Sequence, residues 1–137
     1  MEAMSLRCFL PGFAAIAALF AAVLPNWEAG SVLFAPGPPG AFDETAVKDP
    51  SIVFHDRQWH LFYTARGHGR YSLGYSAAPR LSGLASAPRY PLTSLRGVRE
   101  PYAAAPQVFY FAPQRKWYLI FQTTDSNYQP VYSTNPQ

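Results

Sequence analysis

Residues 49–65 read DPSIVFHDRQWHLFYTA, and residues 105–123 read APQVFYFAPQRKWYLIFQT. The second stretch repeats the first. Each opens with a residue followed by proline and runs into a short apolar segment. A polar turn follows, then a Trp-x-Leu-x-aromatic segment: Trp59, Leu61 and Tyr63 in the first copy, Trp117, Leu119 and Phe121 in the second. Period-two alternation in β-branched and aromatic residues is the mark of a half-buried strand. It places Trp, Leu and the final aromatic on one face. Val108–Ala112 and Trp117–Phe121 are therefore expected as the two arms of a β-hairpin, with the proline-bearing polar turn between them.

Working outward, a third segment also recurs, as GYSAAP from Gly74 and VYSTNP from Val131. Trp59 and Trp117 are 58 residues apart, and Tyr75 and Tyr132 are 57 apart. No window of useful length carries the helical period, and short apolar runs bounded by Pro, Gly, Asp and Asn recur throughout. The fold class expected is all-β. A period near 58 residues with three antiparallel strands per unit is that of a β-propeller blade, in which an inner strand is followed outward by its neighbours. The Trp-Leu-aromatic face is expected to pack against the next blade. Two blades are visible, and blades become stable by stacking on one another, so the chain reads as the N-terminal fragment of a larger propeller.

Upstream of the repeat, Arg7 precedes an uncharged run from Cys8 to Leu24 rich in Ala, Leu and Phe, the pattern of a secretory signal. Residues 1–29 are assigned to it, residues 30–42 to a Pro/Gly linker built around Pro36, Pro38 and Pro39, and residues 43–137 to the partial propeller. A secreted, extracellular product follows from cleavage. An uncleaved anchor, the only route to a membrane, is the alternative. Cys8 is the only cysteine, so neither a disulfide framework nor a thiolate metal site is available after cleavage.

The 137-residue chain carries a net charge of +3. Its arginines between Asp56 and Glu100, among them Arg66, Arg70 and Arg80, are scattered singly among Pro, Ser and Gly. That dispersal speaks against nucleic acid as a partner. His55, His60 and His68 have no metal-ligand spacing, and the loop read from RGHGR has too few glycines to cradle a phosphate. Asp56 lies in the hairpin turn, and Asp43 and Glu44 follow the linker.

One carboxylate stands apart. The residue before the repeated proline is Asp49 in the first copy and Ala105 in the second. The scaffold accepts a methyl group at that place, so a carboxylate there is not required by folding alone. A turn-capping role before Pro50 is the alternative. Lys48 beside it favours the ionised form that a general base needs. Gln122, closing the strand that carries Trp117, is a candidate hydrogen-bonding partner for a sugar hydroxyl.

KDPSIVFHDRQWHLFYTA, AAPQVFYFAPQRKWYLIFQT and YSTNP together resemble glycoside hydrolase family 62, within the five-bladed-propeller group that includes family 43. The resemblance covers residues 48–137. It implies an inverting α-L-arabinofuranosidase that removes arabinose side chains from arabinoxylan, with Asp49 as general base and Lys48 and Gln122 at the sugar site. It places the orienting carboxylate and the general acid beyond the YSTNP strand. A calcium ion near the propeller axis is also implied, with no ligands assignable on these residues and hence no assigned metal site or cofactor. The competing reading is a non-catalytic, carbohydrate-binding propeller fragment that uses its aromatic surface alone.

Overall fold

The computed structural model describes residues 27–93, 102–124 and 130–135. The expected signal falls almost wholly outside them. From Ser31 onward the chain forms a compact unit of two antiparallel sheets. The first has the order β1 (Ala46–His55), β2 (Gln58–Gly67), β3 (Arg70–Ala78) and β4 (Arg89–Pro91). The second has the order β5 (Ala103–Phe111), β6 (Lys116–Thr123) and β7 (Pro130–Asn135). Successive strands pair with their chain neighbours, which is the meander of a propeller blade.

Tight turns set the register. His55 pairs with Gln58, and the two residues between them, Asp56 and Arg57, have φ of 46° and 60°. Positive φ at both central positions is the geometry that matches strand twist. Gly67 pairs with Arg70 around His68 and Gly69, whose φ values are 51° and 72°. RGHGR, read from sequence as a loop, is thus mostly strand, with only its two central residues turning. Between β5 and β6, a 3-10 turn at Ala112–Gln114 ends on Arg115 in the left-handed region. Ala112 belongs to that turn rather than to the strand in which the sequence placed it.

The two sheets repeat each other in detail. Trp59 lies opposite Phe54 with ring centroids 5.1 Å apart, and Trp117 lies opposite Tyr110 at 5.3 Å. The Trp-Leu-aromatic face, however, packs toward what precedes it, not toward the next blade. Leu119 and Phe121 join Leu73 of β3 and Leu92, just past the end of β4, in one apolar cluster. Leu73 pairs with Thr64 and so lies on the face of the first sheet opposite to Leu61 and Tyr63. Those two pack instead with Phe34, Phe42 and Leu84. The reason is register: Leu73, not Leu61, is the apolar side chain on the face turned to β5 and β6.

The Pro/Gly stretch expected as a linker is therefore packed. Phe34 sets its ring edge-on against Tyr63 at 4.9 Å. Asp43, fully buried, accepts hydrogen bonds from the Tyr63 hydroxyl at 3.0 Å and from Arg89 at 2.8 Å. Arg89 also donates to the Ala35 carbonyl and lies 4.0 Å over the Phe34 ring. A Cβ on Gly37 would come within 2.2 Å of the second Asp43 oxygen, so only glycine lets the strap close over that carboxylate. Asp43 is thereby a clasp residue: it ties the strap to β2 and β4.

Candidate active site

The pairing of β1 with β2 is regular from His55 back to Ser51, then shifts before resuming at Lys48. Asp49, in that interval, has φ of 51°. The second sheet does the same: pairing shifts between Ala104 and Gln107, and Ala105 has φ of 54°. Both residues precede a proline, which removes a ladder donor and favours a bulge. A bulge breaks the alternation and re-aims one side chain, and a left-handed residue other than glycine costs about 1–2 kcal/mol. Aspartate accepts that conformation more readily than most residues. Alanine in the same conformation shows that the backbone shape does not depend on the carboxylate.

The Asp49 side chain is 41% exposed and lies 3.9 Å from the Lys48 ammonium, itself 52% exposed. An exposed pair of this kind adds about 0–1 kcal/mol to stability, so its value lies in placing charge. The Lys48 ammonium also sits 5.0 Å over the Tyr71 ring. The guanidinium of Arg66 lies over the same ring at 5.4 Å, and Tyr102, leading into β5, meets Tyr71 edge-on at 5.7 Å. Lys48, Asp49, Arg66, Tyr71 and Tyr102 therefore form one patch. The sequence offered no direct sign of Arg66 or Tyr71, because their pairing across the hairpin appears only once the His68–Gly69 turn sets the register.

The patch is joined to the second sheet by hydroxyls. Thr64, opposite Lys48 and fully buried, accepts the Ala105 N–H at 2.7 Å. Ser51 accepts the Val108 N–H at 2.9 Å. Gln122 sits in the second sheet opposite Ala104. Because its neighbour Phe121 faces the first sheet, Gln122 faces away from it. Among the described residues no hydrogen bond or ion pair joins it to Lys48 or Asp49.

A cavity of about 440 Å³ opens between the sheets at the far end of β1, lined by Val53, His55, His60, Tyr75 and Trp117 among others. Its lining runs from His55 back to Phe62, the cross-strand partner of Ser51, and does not include Asp49. His60 is held there by Tyr75 at 2.8 Å and by the His55 carbonyl at 3.2 Å. Burial, then the neighbouring Tyr90, pushes the Tyr75 hydroxyl above its ordinary pKa. The carbonyl can only accept, so His60 donates its Nε2–H to it, while Nδ1 meets the Tyr75 hydroxyl, and the ring serves as a structural link. Among the described residues no three His, Cys, Asp or Glu side chains converge as metal ligands. These residues do not fit a calcium cage, and no step of the chemistry is routed through one.

No family model matches the sequence. Alpha-L-arabinofuranosidase C of Cellvibrio japonicus is 35% identical over an alignment of 115 residues that covers 79% of this chain and 17% of that protein. The catalytic domain of a Coprinopsis cinerea GH62 alpha-L-arabinofuranosidase superposes with a TM-score of 0.63 at 40% identity, covering 77% of this chain and 31% of that one. The Podospora anserina alpha-L-arabinofuranosidase PaAbf62A, solved with cellotriose, gives 0.63 at 32% identity, with 77% and 31% covered. A GH62 hydrolase solved with xylotriose gives 0.62 at 32%, with 77% and 30% covered. In sequence and in fold, this chain is similar to part of the glycoside hydrolase family 62 α-L-arabinofuranosidases, and it spans 31% or less of the length of these proteins.

Proposed function

We propose that these two blades are the base-bearing part of an inverting α-L-arabinofuranosidase acting on arabinoxylan. The observation that carries the proposal is Asp49: a carboxylate re-aimed by a bulge, open to solvent and beside Lys48, where the repeat has Ala105. In this reading the Asp49 carboxylate removes a proton from water as the water oxygen bonds to the anomeric carbon of arabinose. The glycosidic C–O bond breaks, and the leaving oxygen takes a proton from a carboxylic acid roughly 6.5–9.5 Å from Asp49, the separation that admits a water. Lys48 keeps the Asp49 charge in place and reaches a sugar hydroxyl. Gln122, on the far face of the second sheet, is assigned a sugar contact there. The general acid is assigned to none of the 137 residues.

A chimera tests the proposal. Residues 43–137 replace the matching part of the Coprinopsis cinerea relative, and arabinose release from arabinoxylan is measured. Activity that falls on Asp49→Asn, with circular dichroism unchanged, supports the assignment. Equal rates for the two chimeras would make Asp49 a turn residue. The 137-residue chain alone is expected to release no arabinose. Because arabinoxylan is extracellular, we further propose that residues 1–29 direct export, and secreted material whose mass begins at Met1 would overturn cleavage.

A second reading, a non-catalytic sugar-binding unit, is favoured by one observation. Phe109 and Tyr118 stack with centroids 5.5 Å apart, and Tyr132 lies 5.8 Å from Tyr118. Phe109 and Tyr132 are both exposed. Arabinoxylan binding by the 137-residue chain that survives Asp49→Asn but not Tyr132→Ala would support that reading.

A further inference from the structure

The repeat that singles out Asp49 also singles out two cations. Val47 pairs with Ala65 as Ala103 pairs with Thr123, so Lys48 corresponds to Ala104 and Arg66 to Thr124. The second sheet carries no charge at either place, Ala104 lying within β5 and Thr124 just past the end of β6. Strand pairing therefore does not require Lys48, and placing it and Arg66 on one face costs something. Lys48 is opposite Thr64 and Arg66 is opposite Ala46, which makes them same-face diagonal neighbours carrying like charge.

Their surroundings show what would offset that repulsion. The charge of Lys48 is answered by Asp49 at 3.9 Å. Among the described residues no carboxylate is within ion-pairing distance of the exposed Arg66. Its guanidinium lies 5.4 Å over the ring of Tyr71, its direct cross-strand partner. That cation–π contact draws the guanidinium to the ring face, and its planar fork matches a carboxylate with two parallel hydrogen bonds. Tyr71, half-buried between the two cations and braced by Tyr102, offers an aromatic surface to the C–H face of a sugar.

We propose that Arg66 and Tyr71 form a subsite for a uronic-acid residue, so that the polysaccharide placed at Asp49 is an acidic, uronate-bearing xylan. This rests on the arabinofuranosidase reading and narrows its substrate class. The carboxylate of the uronate pairs with Arg66, its ring lies on Tyr71, and the continuous contact through Lys48 sets it beside the sugar that Asp49 addresses. Arg66 determines specificity and takes no part in bond breaking.

The test is binding of the 137-residue chain to a glucuronic-acid-substituted arabinoxylan, to the same material with its carboxyls reduced to alcohols, and to polygalacturonate. The native acidic form is expected to bind about 5- to 10-fold more tightly than the reduced form at low salt, the scale of one partly exposed charge-assisted contact. That preference should shrink as salt rises. Arg66→Gln should abolish it, and Arg66→Lys should keep part of it. Equal affinity for the two xylans, or a preference that survives Arg66→Gln, overturns the subsite and leaves the arabinofuranosidase reading untouched. Polygalacturonate binding as tight as that of the acidic xylan and unchanged in Arg66→Gln would reduce the effect to the net charge of the chain and also overturn it. Failure to bind any of the three overturns the subsite as well, while the chimera's arabinose release decides the catalytic reading on its own.

Discussion

The Thr64 hydroxyl accepts the backbone N–H of Ala105 at 2.7 Å. Thr64 is the β2 partner of Lys48, so this one bond sets the bulge of the second sheet beside the bulge that carries Asp49. Thr64 is fully buried while the bond itself is part-buried, and an intramolecular hydrogen bond of this kind contributes about 0.5–1.5 kcal/mol.

Thr64→Val keeps the shape and removes the acceptor. It is expected to lower the unfolding free energy by about 0.5–1.5 kcal/mol in urea titrations, whereas Thr64→Ser should recover most of that loss. An equal loss for both variants would show that the methyl group, not the hydroxyl, joins the sheets.

At Asp49 the expected outcomes split between stability and chemistry. Because Ala105 holds the same left-handed conformation, Asp49→Ala should change stability by less than about 1 kcal/mol, the size of an exposed ion pair. In the chimera, removal of the base should lower arabinose release by about 10²- to 10⁴-fold. Thermal melts and reducing-sugar assays on one preparation check both. A large stability loss would return Asp49 to a structural role.

The strands and their period were legible because alternation and turn chemistry are local: Trp59 and Trp117 could be aligned by eye and occupy equivalent cross-strand pairs. The Asp49 and Ala105 contrast was legible for the same reason. Which way each face points was not. That depends on whether Leu61 or Leu73 meets β6, a long-range matter that the two-residue turns decide only after folding. The packing of Phe34 and Phe42 was hidden likewise, since a Pro/Gly stretch reads as a linker until Asp43 and Arg89, far apart in sequence, are seen to clasp it. Arg66 and Tyr71 became neighbours only through the hairpin register.

The clasp itself predicts a hierarchy of variants. Asp43 and Arg89 are a buried or nearly buried pair at 2.8 Å. Removing one partner of such a pair costs about 3–5 kcal/mol, because the other charge stays buried and unanswered. Asp43→Ala and Arg89→Ala should each be strongly destabilising in denaturant titrations. The double variant Asp43→Ala, Arg89→Met should be less so than the sum of the single effects. Strict additivity would mean that the two side chains stabilise the strap independently.

Tyr63 gives the clasp a pH signature. Burial first, then the Asp43 charge and its hydrogen bond, push the Tyr63 hydroxyl well above its ordinary value of 10. The folded state thus prefers the protonated phenol, while the unfolded chain releases its proton near pH 10. Below pH 10 both states hold the proton and this stabilisation is fully present. As pH rises above 10 the unfolded state loses the proton first, so stability falls by about 1.4 kcal/mol per pH unit until the folded phenol also ionises. Unfolding free energies measured between pH 8 and about 11 should therefore be flat and then decline, beyond what the exposed tyrosines contribute. Tyr63→Phe should remove that decline, at a lower starting stability because Asp43 loses a donor. A decline of the same slope in Tyr63→Phe would place the titrating group elsewhere and show that the buried phenol does not govern the alkaline limit.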